Sequence, residues 1–414
     1  MRRRLPPALR IRSFAQLWAA ILALRFAENM VAVAIGWQVF AIHRDPLDLG
    51  LIGLMEFIPL PLLALPMGQL TDRLPRRFMF ATGLVLALTV SALLLVVTLH
   101  GARQLWPFLA LAALTGVANS VAWPAYGAMT PELVPTELVP GAMALRSIAS
   151  QTSVVIGPAV GGLLFAAKPA LVYAVAVGLF AIATIAVGTL RTPRVERTGA
   201  APGLQDLVAG VRFVLQARIL LGAISLDLFA VLFGGAVALL PVYARDILHV
   251  GPIGLGVLRA APAVGALSAA VLLARRPLRR PAGPTLMLCV AAFGAATVVW
   301  GASRWLPVTL VFLAVIGFVD MFSVNIRSST VALVTPNELR GRVTAVEMVF
   351  ISASNELGAF ESGVIAKLLG TVTSVVVGGA LTVGIAGVWT RVFPPLAKMG
   401  RLEELRPESA RAMP

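Results

Sequence analysis

Gly68-Gln69-Leu70-Thr71-Asp72-Arg73-Leu74-Pro75-Arg76-Arg77 stands between two long apolar runs, 49–70 and 78–99. Four of these ten residues are charged. Each flanking run, rising about 1.5 Å per residue as a helix, is long enough to cross a hydrocarbon layer. The stretch therefore reads as a tight hairpin between two membrane helices.

Composition extends that reading to the whole chain. Of 414 residues, 58% are hydrophobic and 13% charged, which lies outside the range of soluble domains and predicts an integral membrane protein bound to a lipid bilayer. The net charge of +15 is spread over short Lys and Arg clusters between apolar runs and not over one face of a domain, which argues against nucleic acid as a partner. A single cysteine, Cys289, allows no internal disulfide and no metal-type cysteine spacing, so neither a metal nor a cofactor is expected. The basic start Arg2-Arg3-Arg4 precedes an apolar segment that runs from Phe14 to about Ile42 and contains Arg25 and Glu28. That segment is too long for a signal peptide and ends without a small-residue cleavage pattern, so it reads as a retained first helix.

Twelve spans follow, beginning near Phe14, Leu49, Phe78, Leu105, Val139, Ala170, Ile219, Pro252, Pro284, Leu306, Arg342 and Thr373. The one long connection falls between the sixth and seventh. Within it Leu204, Leu207, Val208, Val211 and Leu215 keep helical spacing, which predicts a short amphipathic helix on the membrane surface. The expected organisation is an N-terminal tail over 1–13, a six-helix bundle over 14–190, a linker over 191–217, a second bundle over 218–393 and a C-terminal tail over 394–414. With both termini inside, the cytoplasmic loops and tails collect 24 of the 34 Lys and Arg residues, so the positive-inside rule places both termini, and the 68–77 hairpin, in the cytoplasm.

The halves are related at one offset of 201 residues: Arg44-Asp45 recurs as Arg245-Asp246, Gly50 and Pro61 as Gly251 and Pro262, Gly116 as Gly317, Gly157 and Gly162 as Gly358 and Gly363. Shared leucines arise by chance between apolar helices, but ungapped matches of Arg-Asp, Pro and Gly do not. Two similar bundles repeated in the same orientation suit rocking about a site near mid-membrane, the architecture of alternating access.

With these features the chain resembles the major facilitator superfamily, whose hallmark between the second and third spans is Gly-x-Leu-x-Asp-Arg-x-x-Arg-Arg. Gly68, Leu70, Asp72, Arg73, Arg76 and Arg77 fill it, with Pro75 in place of the usual turn glycine. The resemblance implies an all-α membrane fold of twelve helices in two pseudo-symmetric six-helix bundles. It also implies that Asp72 latches the cytoplasmic side against the start of the eleventh span, near Arg340 and Arg342. The second-half loop, Arg275 to Arg280, has the basic charge without an aspartate. In the fifth span, Ser153, Gly157, Pro158, Gly161 and Gly162 are similar to the Gly-x-x-x-Gly-Pro-x-x-Gly-Gly signature of proton-coupled exporters. The basic residue that such exporters often carry in the fourth span, four before a glycine like Gly116, is here Ala112. Thr130 to Pro135, Gly210 to Leu215 and Leu339 to Val343 resemble bacterial exporters of the enterobactin and macrolide type.

Ionisable groups inside the bilayer are costly and usually face a cavity or a partner. Arg25, Glu28 and Asn29 share the first span, with Arg25 and Glu28 three apart and able to pair. Arg146, Asp227, Arg259, Asp320, Arg327 and Glu356 occupy later spans. Glu28 and Asp227, nearly equivalent under the repeat, are the first candidates for proton or substrate groups, and the arginines are either their charge partners or attractors of an anionic substrate. Trp123 and Tyr126 are among the aromatics able to line a cavity. Nucleotide-binding and hydrolase motifs are missing, so no enzyme is expected. The expected function is proton-coupled export of a small amphiphilic molecule, with protons as coupling ion, by a monomer in a bacterial cytoplasmic membrane. Metabolite uptake is the alternative, and a non-transporting scaffold the remote one.

Overall fold

The computed structural model describes residues 6–190, 204–276, 278, 280–336 and 339–405, and leaves the side chains of 64, 65, 68, 69, 71, 72, 204–207 and 404 outside the description. Among the described residues every regular element is helical. The chain runs α1 (Arg12–His43), α2 (Pro46–Phe57), α3 (Pro59–Arg73), α4 (Arg76–Leu99), α5 (Trp106–Glu132), α6 (Val139–Ala167) and α7 (Pro169–Gly188). After α8 (Leu204–Gln216) come α9 (Arg218–Gly234), the short α10 (Leu240–Val242), α11 (Gly251–Arg275), α12 (Ala282–Ala302), α13 (Leu306–Val334), α14 (Arg340–Leu369) and α15 (Thr371–Val392).

Eleven described helical stretches are long and apolar enough to cross a membrane. The twelfth is α14, whose 30 residues are ample in length but carry Glu347, Glu356 and Glu361. Backbone polar groups have no partner in hydrocarbon, which is why a chain of this composition becomes helix throughout. Prolines open α3, α5, α6, α7 and α13 within the first two positions, where a missing N–H costs nothing.

Two spans differ from the expected continuous helices. The second breaks at Ile58, because Pro59 and Pro61 remove the donors that would carry α2 into α3. The seventh ends at Gly235, and the chain continues through a 3-10 turn at Ala236–Leu239, α10 and a π-turn at Tyr243–Ile247. The predicted hairpin is present as a two-residue corner: Leu74 and Pro75 are extended, and the amides of Phe78 and Met79 both turn back to the Pro75 carbonyl.

Two units emerge. The first comprises 1–43, 55–202 and 250–260, and the second 44–54, 203–249 and 261–414. In the first, α1 packs on α6 and α7, and α4 on α5 and α7, around Phe14, Leu17, Phe80 and Phe180. In the second, α12 packs on α15, and α14 on α9, around Leu220, Leu226, Ile326 and Val343.

Candidate functional site

In the first unit the polar face of α1 meets α5. The Arg25 guanidinium donates to Glu28 Oε2 at 2.9 Å, one turn along α1, and stands 5.7 Å above the Trp123 ring. Asn29 returns its side-chain amide to the Arg25 carbonyl at 2.7 Å. Tyr126, one turn beyond Trp123, packs its ring at a tilt against Phe80 and lies within electrostatic reach of Arg25, Glu28 and Arg146. Arg146, on α6, donates to the Gly127 carbonyl at 3.2 Å.

The exporter-like motif of α6 sets the distance to that face. A Cβ on Gly157 would lie 2.8 Å from Asn29 Cβ, and one on Gly161 would lie 2.9 Å from Met30 Cα, so both positions require glycine for α6 to approach α1. Ser153 keeps its hydroxyl on the Ala149 carbonyl at 2.9 Å, the usual way a serine is satisfied inside a helix. Pro158 and Gly162 face the start of α11, where a Cβ on Gly162 would collide with the Pro252 carbonyl.

In the second unit Asp227 on α9 accepts from Arg327 on α13, both deeply buried. Glu347 of α14 adds a second carboxylate within electrostatic reach of that arginine. Asp227 also lines a small cavity with Cys289, Phe293, Asp320 and Ser323. Under the 201-residue repeat Arg327 corresponds to Tyr126 and Asp320 to Asn119, so each unit builds its polar cluster at the same place on equivalent helices. Asn119 donates to Glu56 Oε1 at 3.2 Å. Glu356 lies on α14 against Gly53, with Oε2 2.8 Å from where a Cβ would stand. Arg259 lies on α11, in the segment that belongs to the first unit.

Of the hairpin residues, Gly68 and Asp72 have side chains outside the described residues, and Arg73 is exposed. Arg76 donates to Glu132 at 2.5 Å and to the Ala128 carbonyl at 3.2 Å, while Arg77 donates to the Gly188 carbonyl. These two arginines thus neutralise the negative C-terminal ends of α5 and α7. Arg340 plays the same part for α13, donating to the Ala332 carbonyl at 2.9 Å, and the Arg342 backbone packs against Gly210 of α8.

Three partners were missed by sequence reasoning. Glu132 lies in the Thr130 to Pro135 stretch, and an acid at a helix end facing an arginine pair was the signal for it. Lys367, at the end of α14, bonds Asp45 at 2.5 Å, and no sequence signal joins residues so distant. Cys289 in the Asp227 cavity is likewise a matter of packing.

The model of the family described as transmembrane secretion effector matches residues 5–407. The chain is 25% identical over 386 residues to the MFS-type transporter YfiS of Bacillus subtilis, covering 87% of this chain and 88% of that protein. It is 27% identical over 369 residues to the multidrug efflux pump Tap of Mycolicibacterium fortuitum, covering 85% and 88%. Against Tap of Mycobacterium tuberculosis H37Rv the identity is 32% over 216 residues, about half of each chain. Among solved structures, a bacterial homolog of the lysosomal transporter Spinster superposes with a TM-score of 0.75 at 14% identity over 93% of this chain and 98% of that one, a likeness of fold alone.

Proposed function

The chain belongs to the transmembrane secretion effector family of the major facilitator superfamily, and on that premise we propose that it exports a small amphiphilic molecule in exchange for protons. It is a multi-pass membrane transporter of the twelve-helix fold and not an enzyme. Export is favoured over uptake by the multidrug efflux pumps among its relatives and by the glycines that seat α6 on α1. One observation carries the coupling: each unit holds a carboxylate–arginine pair among its helices, Arg25 with Glu28 half-buried and Asp227 with Arg327 deeply buried.

Each arginine competes with a proton for its carboxylate. A proton and a substrate then compete for the same group, and each biases the carrier between two conformations by its difference in affinity for them. Glu28 and Asp227 are the proposed proton groups, with Asp320 and Glu356 as secondary acids. The six-span halves, 14–190 and 218–393, are the proposed moving bodies, and Asp72 is the proposed cytoplasmic latch. The proposed setting is a bacterial cytoplasmic membrane, with both termini in the cytoplasm and the monomer as the working form.

The test is proton release in reconstituted vesicles loaded with a pH dye. Outward substrate flux through this carrier should move protons the other way, so a macrolide, a siderophore, a cationic dye and norfloxacin are added in turn. A saturable pH change with at least one of them is expected. Saturable flux with no pH change would remove the coupling while keeping the carrier.

A further inference from the structure

Three polar atoms of the α1–α5 cluster are buried and have no hydrogen-bond partner among the described residues: Arg25 Nε, Glu28 Oε1 and Trp123 Nε1. A buried donor or acceptor left unsatisfied costs about 1–3 kcal/mol, so three within one cluster call for an explanation. Part of the explanation is geometric. The Arg25–Glu28 pair uses Nη1 and Oε2, which leaves the other edge of each group unused. Trp123 offers its ring to the guanidinium, so its N–H is not engaged there. Arg25 and Glu28 keep 28% and 19% of their side-chain surface, so both side chains reach accessible space beside the three buried atoms.

We propose that this cluster is a binding site for zwitterionic aromatic amphiphiles, molecules that carry an acidic oxygen and a protonated amine on a planar ring. The inference rests on the reading of the chain as a carrier of small amphiphiles. Two of the three free atoms are donors, Arg25 Nε and Trp123 Nε1, and they match a carboxylate or a keto-acid oxygen. The third, Glu28 Oε1, is an acceptor on a carboxylate and matches an ammonium. Trp123 and Tyr126 supply aromatic faces to a planar body. Charge decides against a simple cation: Arg25 and Arg146 against Glu28 leave one net positive charge around Tyr126. A lipophilic monocation would satisfy only Glu28 and would meet that excess. The second unit's pair is built differently, since Arg327 stands where the first unit has Tyr126, and it offers no equivalent indole.

The experiment uses the purified full-length protein in nanodiscs, with equilibrium binding of norfloxacin as the zwitterionic probe. Its competitors are decarboxylated norfloxacin, N-acetylnorfloxacin and tetraphenylphosphonium. Norfloxacin should bind most tightly, loss of either charged group should weaken binding about tenfold or more, and tetraphenylphosphonium should displace it poorly. Trp123→Phe keeps the ring and should bring the parent and decarboxylated compounds within about threefold of each other. Glu28→Gln should do the same for the parent and N-acetyl compounds. Equal affinity for all four probes, preference for the monocation, or no saturable binding of norfloxacin would each overturn the proposal. So would variants that weaken every ligand by the same factor. The wild-type ranking decides the matter even where a variant does not fold. Binding is read without a proton gradient, so the expected ranking without proton-driven transport would sink the proposed function alone. Proton-driven export without the ranking would sink this inference alone.

Discussion

At the scale of single residues, transport and stability both turn on how charge is carried inside a bundle. Asp227 and Arg327 retain 9% and 5% of their surface, so neither is solvated once its partner is gone. Removing one member of a buried pair costs about 3–5 kcal/mol, most of it the penalty of the orphaned charge. Asp227→Asn should therefore lower the thermal unfolding midpoint in detergent markedly, and the double change Asp227→Asn with Arg327→Met should recover more than half of the loss. A double variant as unstable as the single would mean that the pair is held by something other than mutual neutralisation. Arg76 and Glu132 are a gentler case, because their side chains keep 25% and 21% exposure. Arg76→Ala should cost about 1 kcal/mol or less after solvent screening, measured in the same assay. The pairing of Arg25 with Glu28 was legible from a spacing of three on one helix. The Asp227–Arg327 pair was legible only as two charges awaiting partners, since a contact across 100 positions is a product of packing. The role of Trp123 was less visible still, because an indole in an apolar run has the same hydropathy whether it faces lipid or a guanidinium.

At the scale of helices, glycines set the spacing. A Cβ on Gly116 would collide with the Glu56 carbonyl, and one on Gly317 with the Pro262 carbonyl, so the repeat-related pair makes the same close crossing once in each unit. Gly178 and Gly387 have nothing within 4 Å of where a Cβ would stand and serve as controls. Overpacking a tight crossing costs about 1–3 kcal/mol, so Gly116→Ala and Gly317→Ala should each lower thermal stability, while Gly178→Ala and Gly387→Ala should leave it unchanged or slightly raised. Equal effects at all four positions would refute the crossing as the cause. The helices themselves were readable because each apolar run has the length of a bilayer and each break carries charge or proline. The interruption at Ile58 was not readable, since Pro59 and Pro61 sit inside a run whose hydropathy never falls. The assignment of 44–54 to the second unit was also hidden. It depends on Gly50 and Gly363 letting α2 and α14 touch backbone to backbone, and a glycine in a sequence does not name its neighbour.

At the scale of the molecule, the claim is that two carboxylate–arginine pairs convert a proton gradient into export. The proposed cycle gives the 68–77 hairpin a separate part. Arg76 and Arg77 tie together the ends of α4, α5 and α7, so the hairpin base is structural. The proposed latch is left to Asp72 alone. Asp72→Asn should reduce turnover while membrane insertion and thermal stability stay normal, measured as transport rate per folded protein. An active Asp72→Asn carrier would leave the hairpin a topology signal. The most direct measurement of the central claim is transport driven by an imposed pH gradient in proteoliposomes, comparing wild type with Glu28→Gln and Asp227→Asn at matched reconstitution. The gradient should drive accumulation by the wild type, and at least one variant should exchange substrate at equilibrium but no longer accumulate it. Accumulation at the wild-type level by both variants would contradict the claim.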